Sequence, residues 1–155
     1  VTELWNGSNW TEVNDLNTAR LNLTGSGTST AGIAAFGRTV SPPADVAKTE
    51  TELWNGTNWT EVNDGNTARY SLGASKTSQT SALVFGGCVA PNYKANTEEW
   101  NGASWVEVAN LNTARAALAG AGNTTNALAF GGEDPAGNLT EEWSSTSNTI
   151  KVLTD

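Results

Sequence analysis

The sequence predicts an all-β chain made from one four-stranded unit used several times over. Three observations lead there. The first is self-similarity: TELWNGSNWTEVNDLNTAR (2–20), TELWNGTNWTEVNDGNTAR (51–69) and EEWNGASWVEVANLNTAR (98–115) align directly, and EEWSSTSNTIKVLTD (141–155) opens the same way before diverging. Recurrence at a spacing of tens of residues marks repeat architectures. The second is local pattern, since short alternating or apolar runs are separated by Gly and Asn turns and no stretch has helical periodicity. The third is composition. Leu, Ile, Val and Phe number only 27 of 155 residues, inside the range of disordered chains, but seven Trp pull the other way. One Trp buries roughly 150–250 Å², so the repeated Trp offset much of the aliphatic shortage.

Each unit reads as four strands. TELW is followed by Asn6-Gly7, Asn55-Gly56 or Asn101-Gly102, a pair that tolerates positive φ and signals a tight turn. The next strand is W-T-E-V, with Trp10 leading, Glu12 outward and Val13 inward. The polar NDLNTAR segment turns the chain. A third strand is expected directly after Arg20, Arg69 and Arg115, for example Arg69-Tyr70-Ser71-Leu72-Gly73-Ala74. The fourth, such as Ala82-Leu83-Val84-Phe85, is a near-continuous apolar run, as expected of a strand buried on both faces. Such units bury little alone but stack through their flat faces. Their first Trp residues (Trp5, Trp54, Trp100, Trp143) lie 49, 46 and 43 residues apart. Nearly all of that variation falls in the segments after the glycines: 39–48, 88–96 and 133–139.

Composition narrows function. The net charge of -8, with no basic cluster, repels phosphate and argues against nucleic acid as a partner. No apolar run approaches the ~20 residues of a membrane helix, so no membrane insertion is expected. With no His there is no Ser-His-Asp or Cys-His machinery, and Cys88 is the lone cysteine. No cofactor or metal is expected. The chain opens on Val1 rather than Met and carries no signal peptide, so the natural N-terminus is expected to lie further upstream.

These residues resemble the kelch-type β-propeller family. The pattern is a strand ending in Gly-Gly, then an aromatic, then a Trp about six residues on, as in Gly86-Gly87, Trp100, Trp105 and in Gly131-Gly132, Trp143. Trp stands where the family usually has Tyr, and the first copy reads Gly37-Arg38. The last copy lacks a second Trp, with Ile150 or Val152 in its place. The Asn/Thr/Ser-rich style, with W-N-G-x-x-W and L-N-T-A-R, is similar to repeat proteins of marine phages linked to tail fibres and virion appendages.

The resemblance implies blades that run inner pair, then outer pair: a half blade at 1–15 (an outer pair), then blades at 16–64, 65–110 and 111–155, the last with an atypical C-terminal cap. Propellers close with about 4–8 blades. The expectation is therefore a partial propeller, or one completed by an oligomer or by further blades of a longer chain. Contacts that fail to close give a filament.

Individual residues carry competing readings. Arg20, Arg69 and Arg115 are expected to bridge Glu12, Glu61 and Glu107 or carbonyls of an adjacent blade; the functional alternative is a ring of Arg capturing an acidic ligand. Repetition in every unit favours architecture. Trp10, Trp59 and Trp105 are expected in the core, and Trp5, Trp54, Trp100 and Trp143 partly exposed, with sugar stacking as the alternative role. Carboxylate pairs such as Glu12/Asp15 and Glu61/Asp64 read as strand-edge groups, not catalysts. Glu133-Asp134-Pro135 with Asn138 reads as an acidic turn rather than a Ca²⁺ site. The variable post-glycine loops are the place for ligand contact, and Asn92, Tyr93 and Lys94 are the candidates within them.

The function expected is a non-enzymatic structural or adhesion module, on a virion or another extracellular assembly. It would present loops to a cell-surface glycan or protein. The alternatives are a self-assembling filament or decoration protein and a sugar-active propeller enzyme.

Overall fold

The computed structural model describes residues 1–133 and 137–153. Among them all regular structure is β. Strands β1 (Thr2–Trp5) and β2 (Trp10–Val13) form a hairpin with Trp5 opposite Trp10. A first four-stranded antiparallel sheet follows, made of β3 (Thr24–Thr28) and β4 (Ala31–Ala35), then, after a small hairpin of β5 (Arg38–Thr39) and β6 (Val46–Ala47), β7 (Thr51–Trp54) and β8 (Trp59–Val62). The second sheet repeats the plan with β9 (Gly73–Ser78) and β10 (Ser81–Phe85), the small hairpin β11 (Cys88–Val89) and β12 (Asn92–Tyr93), then β13 (Thr97–Trp100) and β14 (Trp105–Val108). The third consists of β15 (Ala119–Gly122), β16 (Asn126–Phe130), β17 (Thr140–Ser144) and β18 (Thr149–Leu153).

The turns follow from Asn and Gly chemistry. Asn6 Oδ1 accepts the N–H groups of Ser8 and Asn9 at 2.9 Å, and Asn55 and Asn101 do the same for the residues two and three after them. The glycine after each Asn takes φ between +94° and +99°, a region costly for a residue with a Cβ.

The three sheets stack face to face. Ile33 and Ala35 of the first pack with Ala82, Val84, Trp100 and Trp105 of the second. Leu83 and Phe85 of the second pack with Ala127, Ala129 and Trp143 of the third, and with Leu111 and Leu118 on the segment leading to it. Leading segments are also tied backbone to backbone: Ser71 N–H donates to Asn22 O and Ala117 N–H to Ser71 O. The innermost strands approach so closely that a Cβ on Gly120 would lie 2.4 Å from Ala74 O.

The third strand starts later than expected. Tyr70 makes only an isolated bridge to Cys88, and Ser71 adopts φ 56°, as Asn22 and Ala117 do at the same place (52° and 53°). That left-handed bend interrupts strand geometry, so the ladder begins at Gly73.

Strand register also corrects the reading of the first Gly-Gly. Trp54 pairs with Gly32 as Trp100 pairs with Ala82, which sets Phe36 at the position of Gly86 and Gly37 at that of Gly87. Phe36 is buried, with its ring edge-on to Trp105. Space for it comes from Gly65, where a Cβ would fall 2.2 Å from the ring. The next interface reverses the sizes, with Gly86 facing Leu111. Volume is conserved across the pair, as dense packing requires.

A repeated hydrogen bond links successive units. Trp59 Nε1 donates to Thr2 Oγ1 at 3.1 Å and Trp105 Nε1 to Thr51 Oγ1 at 2.9 Å. In the last unit Ile150 stands opposite Trp143, where Trp105 stands opposite Trp100. Ile has no donor, and Thr97 Oγ1 is left buried without a partner. An unpaired buried hydroxyl costs about 1–3 kcal/mol. Thr97→Val is therefore expected to raise stability by about 1 kcal/mol, while Thr51→Val, which strands the indole of Trp105, lowers it by a similar amount. Urea denaturation of the two variants checks the opposite signs.

Candidate functional site

The polar centre of each unit is the Asn-Thr-Ala-Arg segment, folded onto the third strand of its own sheet. Arg20, Arg69 and Arg115 have fully buried side chains paired with Glu52, Glu98 and Glu141, which are 0–1% exposed. The Arg20–Glu52 contact is 2.7 Å. Each guanidinium also donates to backbone carbonyls: Arg20 to Phe36 O, Arg69 to Gly86 O, Arg115 to Gly131 O. The second oxygen of each carboxylate accepts the backbone N–H of Asn17, Asn66 or Asn112 at 2.7 Å and its Nδ2 at 2.8–2.9 Å. Buried ions persist only with this degree of satisfaction.

This corrects the expected partners. Glu12, Glu61 and Glu107 stand opposite Glu3, Glu52 and Glu98 on the outer strand of each pair. Only the third-strand carboxylate faces the guanidinium, and the carbonyls it reaches belong to the same unit. Sequence separation could not separate these two glutamates, because both lie on strands of one hairpin.

Burial pushes the Glu141 carboxyl up, but the hydrogen bonds from Arg115 and Asn112 outweigh it and hold the group below the usual carboxylate range. Burial lowers the Arg69 guanidinium against the pull of Glu98. Its plane also lies 4.7 Å from the centroid of the Phe36 ring, a cation–π contact.

The tryptophans divide differently from expectation. Trp54, Trp100 and Trp143 are buried, and each indole N–H donates to the carbonyl of its own sheet's inner turn: Ser29, Gln79 and Thr124. Trp105 is buried as expected, Trp59 is half-buried, and Trp5 and Trp10 are 49% and 63% exposed. The physical reason is position in the sheet. The first Trp of a pair sits on a strand flanked on both sides, while the second sits on the outermost strand. Cross-strand pairing puts both on one face, 5.3–5.5 Å between ring centroids. That face looks towards the preceding sheet, and no sheet precedes the β1–β2 hairpin. Alternation along one strand carries no information about which strand is flanked.

The post-glycine segments leave each unit at one equivalent place, marked by the bridges Leu21–Arg38, Tyr70–Cys88 and Ala116–Glu133. Two of them close as the small hairpins β5–β6 and β11–β12. Arg38 pairs with Asp45 and lies 5.0 Å from the centroid of the Tyr70 ring. Asn92 and Tyr93 form β12 and are exposed. Lys94 is half-buried; its N–H donates to Gly87 O and its carbonyl accepts from Arg115 N–H. Lys94 is thus partly framework. Burial pushes the neighbouring Cys88 thiol up, away from the reactive thiolate. Asp134 and Pro135 of the acidic turn lie outside the described residues. Among the described residues no three of Cys, Asp and Glu converge. No protein-family model and no curated protein matches the chain.

The lowered Glu141 carboxyl sets an acid limit on stability. A group whose folded pKa is depressed contributes stability in full above its unfolded pKa and loses it as pH falls through the folded value. The urea midpoint is expected to hold from pH 7 to about 5 and to drop below about 4. Glu141→Gln is expected to start lower and to show a shallower drop, measured by the same titration.

Proposed function

We propose that the chain is a non-catalytic structural or adhesion module of a virion or other extracellular assembly, its sheets acting as blades of a kelch-like propeller. The observation behind this reading is the division of labour within each unit. The repeated Arg, Glu, Asn and Trp side chains are consumed in holding sheets together. The segments that differ leave the frame at one equivalent place per unit. Binding on loops carried by a rigid scaffold is a common arrangement. Tyr and Asn, as at Tyr93 and Asn92, suit adaptable polar contact. The ligand is a cell-surface glycan or protein, and repeated weak sites gain affinity through avidity.

Glycan-array and whole-cell binding test the proposal. Replacing Asn92 and Tyr93 by Ala is expected to weaken binding about tenfold while the urea midpoint stays unchanged, since one good polar contact is worth about 1.4 kcal/mol. Absence of binding to any glycan or cell surface removes the adhesion reading.

A second reading, a self-associating filament or decoration protein, is favoured by the outer face of the third sheet. Leu128 and Phe130 occupy the positions of Leu83 and Phe85 in the second sheet. The inner pair is 0–1% exposed; Leu128 and Phe130 are 37% and 38% exposed. A bare apolar sheet face invites a further sheet. On this reading sedimentation velocity shows a concentration-dependent series that collapses to monomer in Phe130→Asp, and a single species at all concentrations removes it.

A further inference from the structure

We propose that the free edge of β1 is a binding site for a β-hairpin approached by an Asn-x-x-Arg segment, the inner half of this same repeat, carried on a partner polypeptide. The inference rests on the observed repeat and not on whether the loops bind a ligand. Strands β7, β13 and β17 each lie between two others, and their Glu is buried under an Arg and an Asn. Strand β1 has the same sequence and the same register to its outer partner, with Glu3 opposite Glu12 as Glu52 is opposite Glu61. It pairs with β2 alone. Glu3 is exposed and makes none of the contacts that its three equivalents make.

The space beside that edge is shaped. A cleft of about 480 Å³ lies between Glu3, Leu4 and Trp5 on one side and Gly27, Thr28 and Gly32 on the other. In the complete units, the inner strands occupy the corresponding place and bring the Arg that neutralises the carboxylate. An incoming hairpin would satisfy three things at once: the unpaired backbone of β1, the Glu3 carboxylate and the apolar flank of Leu4. Strand addition of this kind draws affinity from main-chain hydrogen bonds and specificity from the side chains. Here the specificity element is a guanidinium placed on Glu3.

The test uses the whole chain and a synthetic peptide of residues 66–87, which contains Asn66, Arg69 and both inner strands of the second unit and has no Trp. Calorimetric titration, with the tryptophan emission of the protein as second readout, is expected to show saturable 1:1 binding. Glu3→Gln in the protein, or Arg69→Gln in the peptide, is expected to weaken it at least about tenfold, the loss of one charge-assisted contact. Glu3 is exposed, so its variant keeps the fold, which circular dichroism checks. Equal affinity for the Glu3→Gln protein or for a scrambled peptide overturns the proposal, as does the absence of saturable binding. A protein that dimerises through Glu3 without peptide, and so excludes it, overturns it in favour of a second copy as occupant.

Discussion

The buried guanidinium–carboxylate joint between each leading segment and the third strand of its sheet is the contact on which the rest depends. Its parts come from places 26–32 residues apart in sequence, so it closes the unit on itself. It fixes where the chain enters the inner strands, and the carbonyls it holds lie at the turn into the post-glycine segment. Leaving one of two buried charges unpaired costs about 3–5 kcal/mol. With so few aliphatic side chains, hydrophobic burial alone does not dictate one arrangement of these sheets. A geometric lock of planar guanidinium on carboxylate supplies the missing specificity, and Arg suits it through its rigid fork of donors.

Stacking adds the second layer of order. Sheets of Ala, Gly and short apolar residues approach closely, and indoles fill the outer half of each interface. The indole N–H then bonds Thr across that interface. The same geometry makes the ends of the stack unlike its middle. Trp5 and Trp10 at one end, and Leu128 and Phe130 at the other, keep the chemistry of an interior and meet solvent. Display of variable segments and association through end faces are thus compatible properties of one frame.

Much of this was legible in residues alone. The number and order of strands, the Asn-Gly turns, the confinement of length variation to one segment and the architectural role of Arg20, Arg69 and Arg115 all follow from local patterns and from comparing the chain with itself. The identity of the Arg partners, the exposure of the individual Trp and the register of Phe36 did not follow, because Glu52 and Glu61, or Trp54 and Trp59, lie on adjacent strands with identical local surroundings. The size exchange between Phe36–Gly65 and Gly86–Leu111 leaves a faint signal, a Gly where the other copies have Leu.

The sequence by itself determined that one four-stranded unit is reused, since periodicity and turn chemistry act over a few residues and need no neighbour. Tertiary structure alone decided which glutamate is buried, which tryptophan is covered and which carboxylate, Glu3, is left without its cation. Those outcomes depend on which strand is flanked and which sheet has a neighbour. They are properties of the stack, and identical sequences at its middle and its end meet different surroundings.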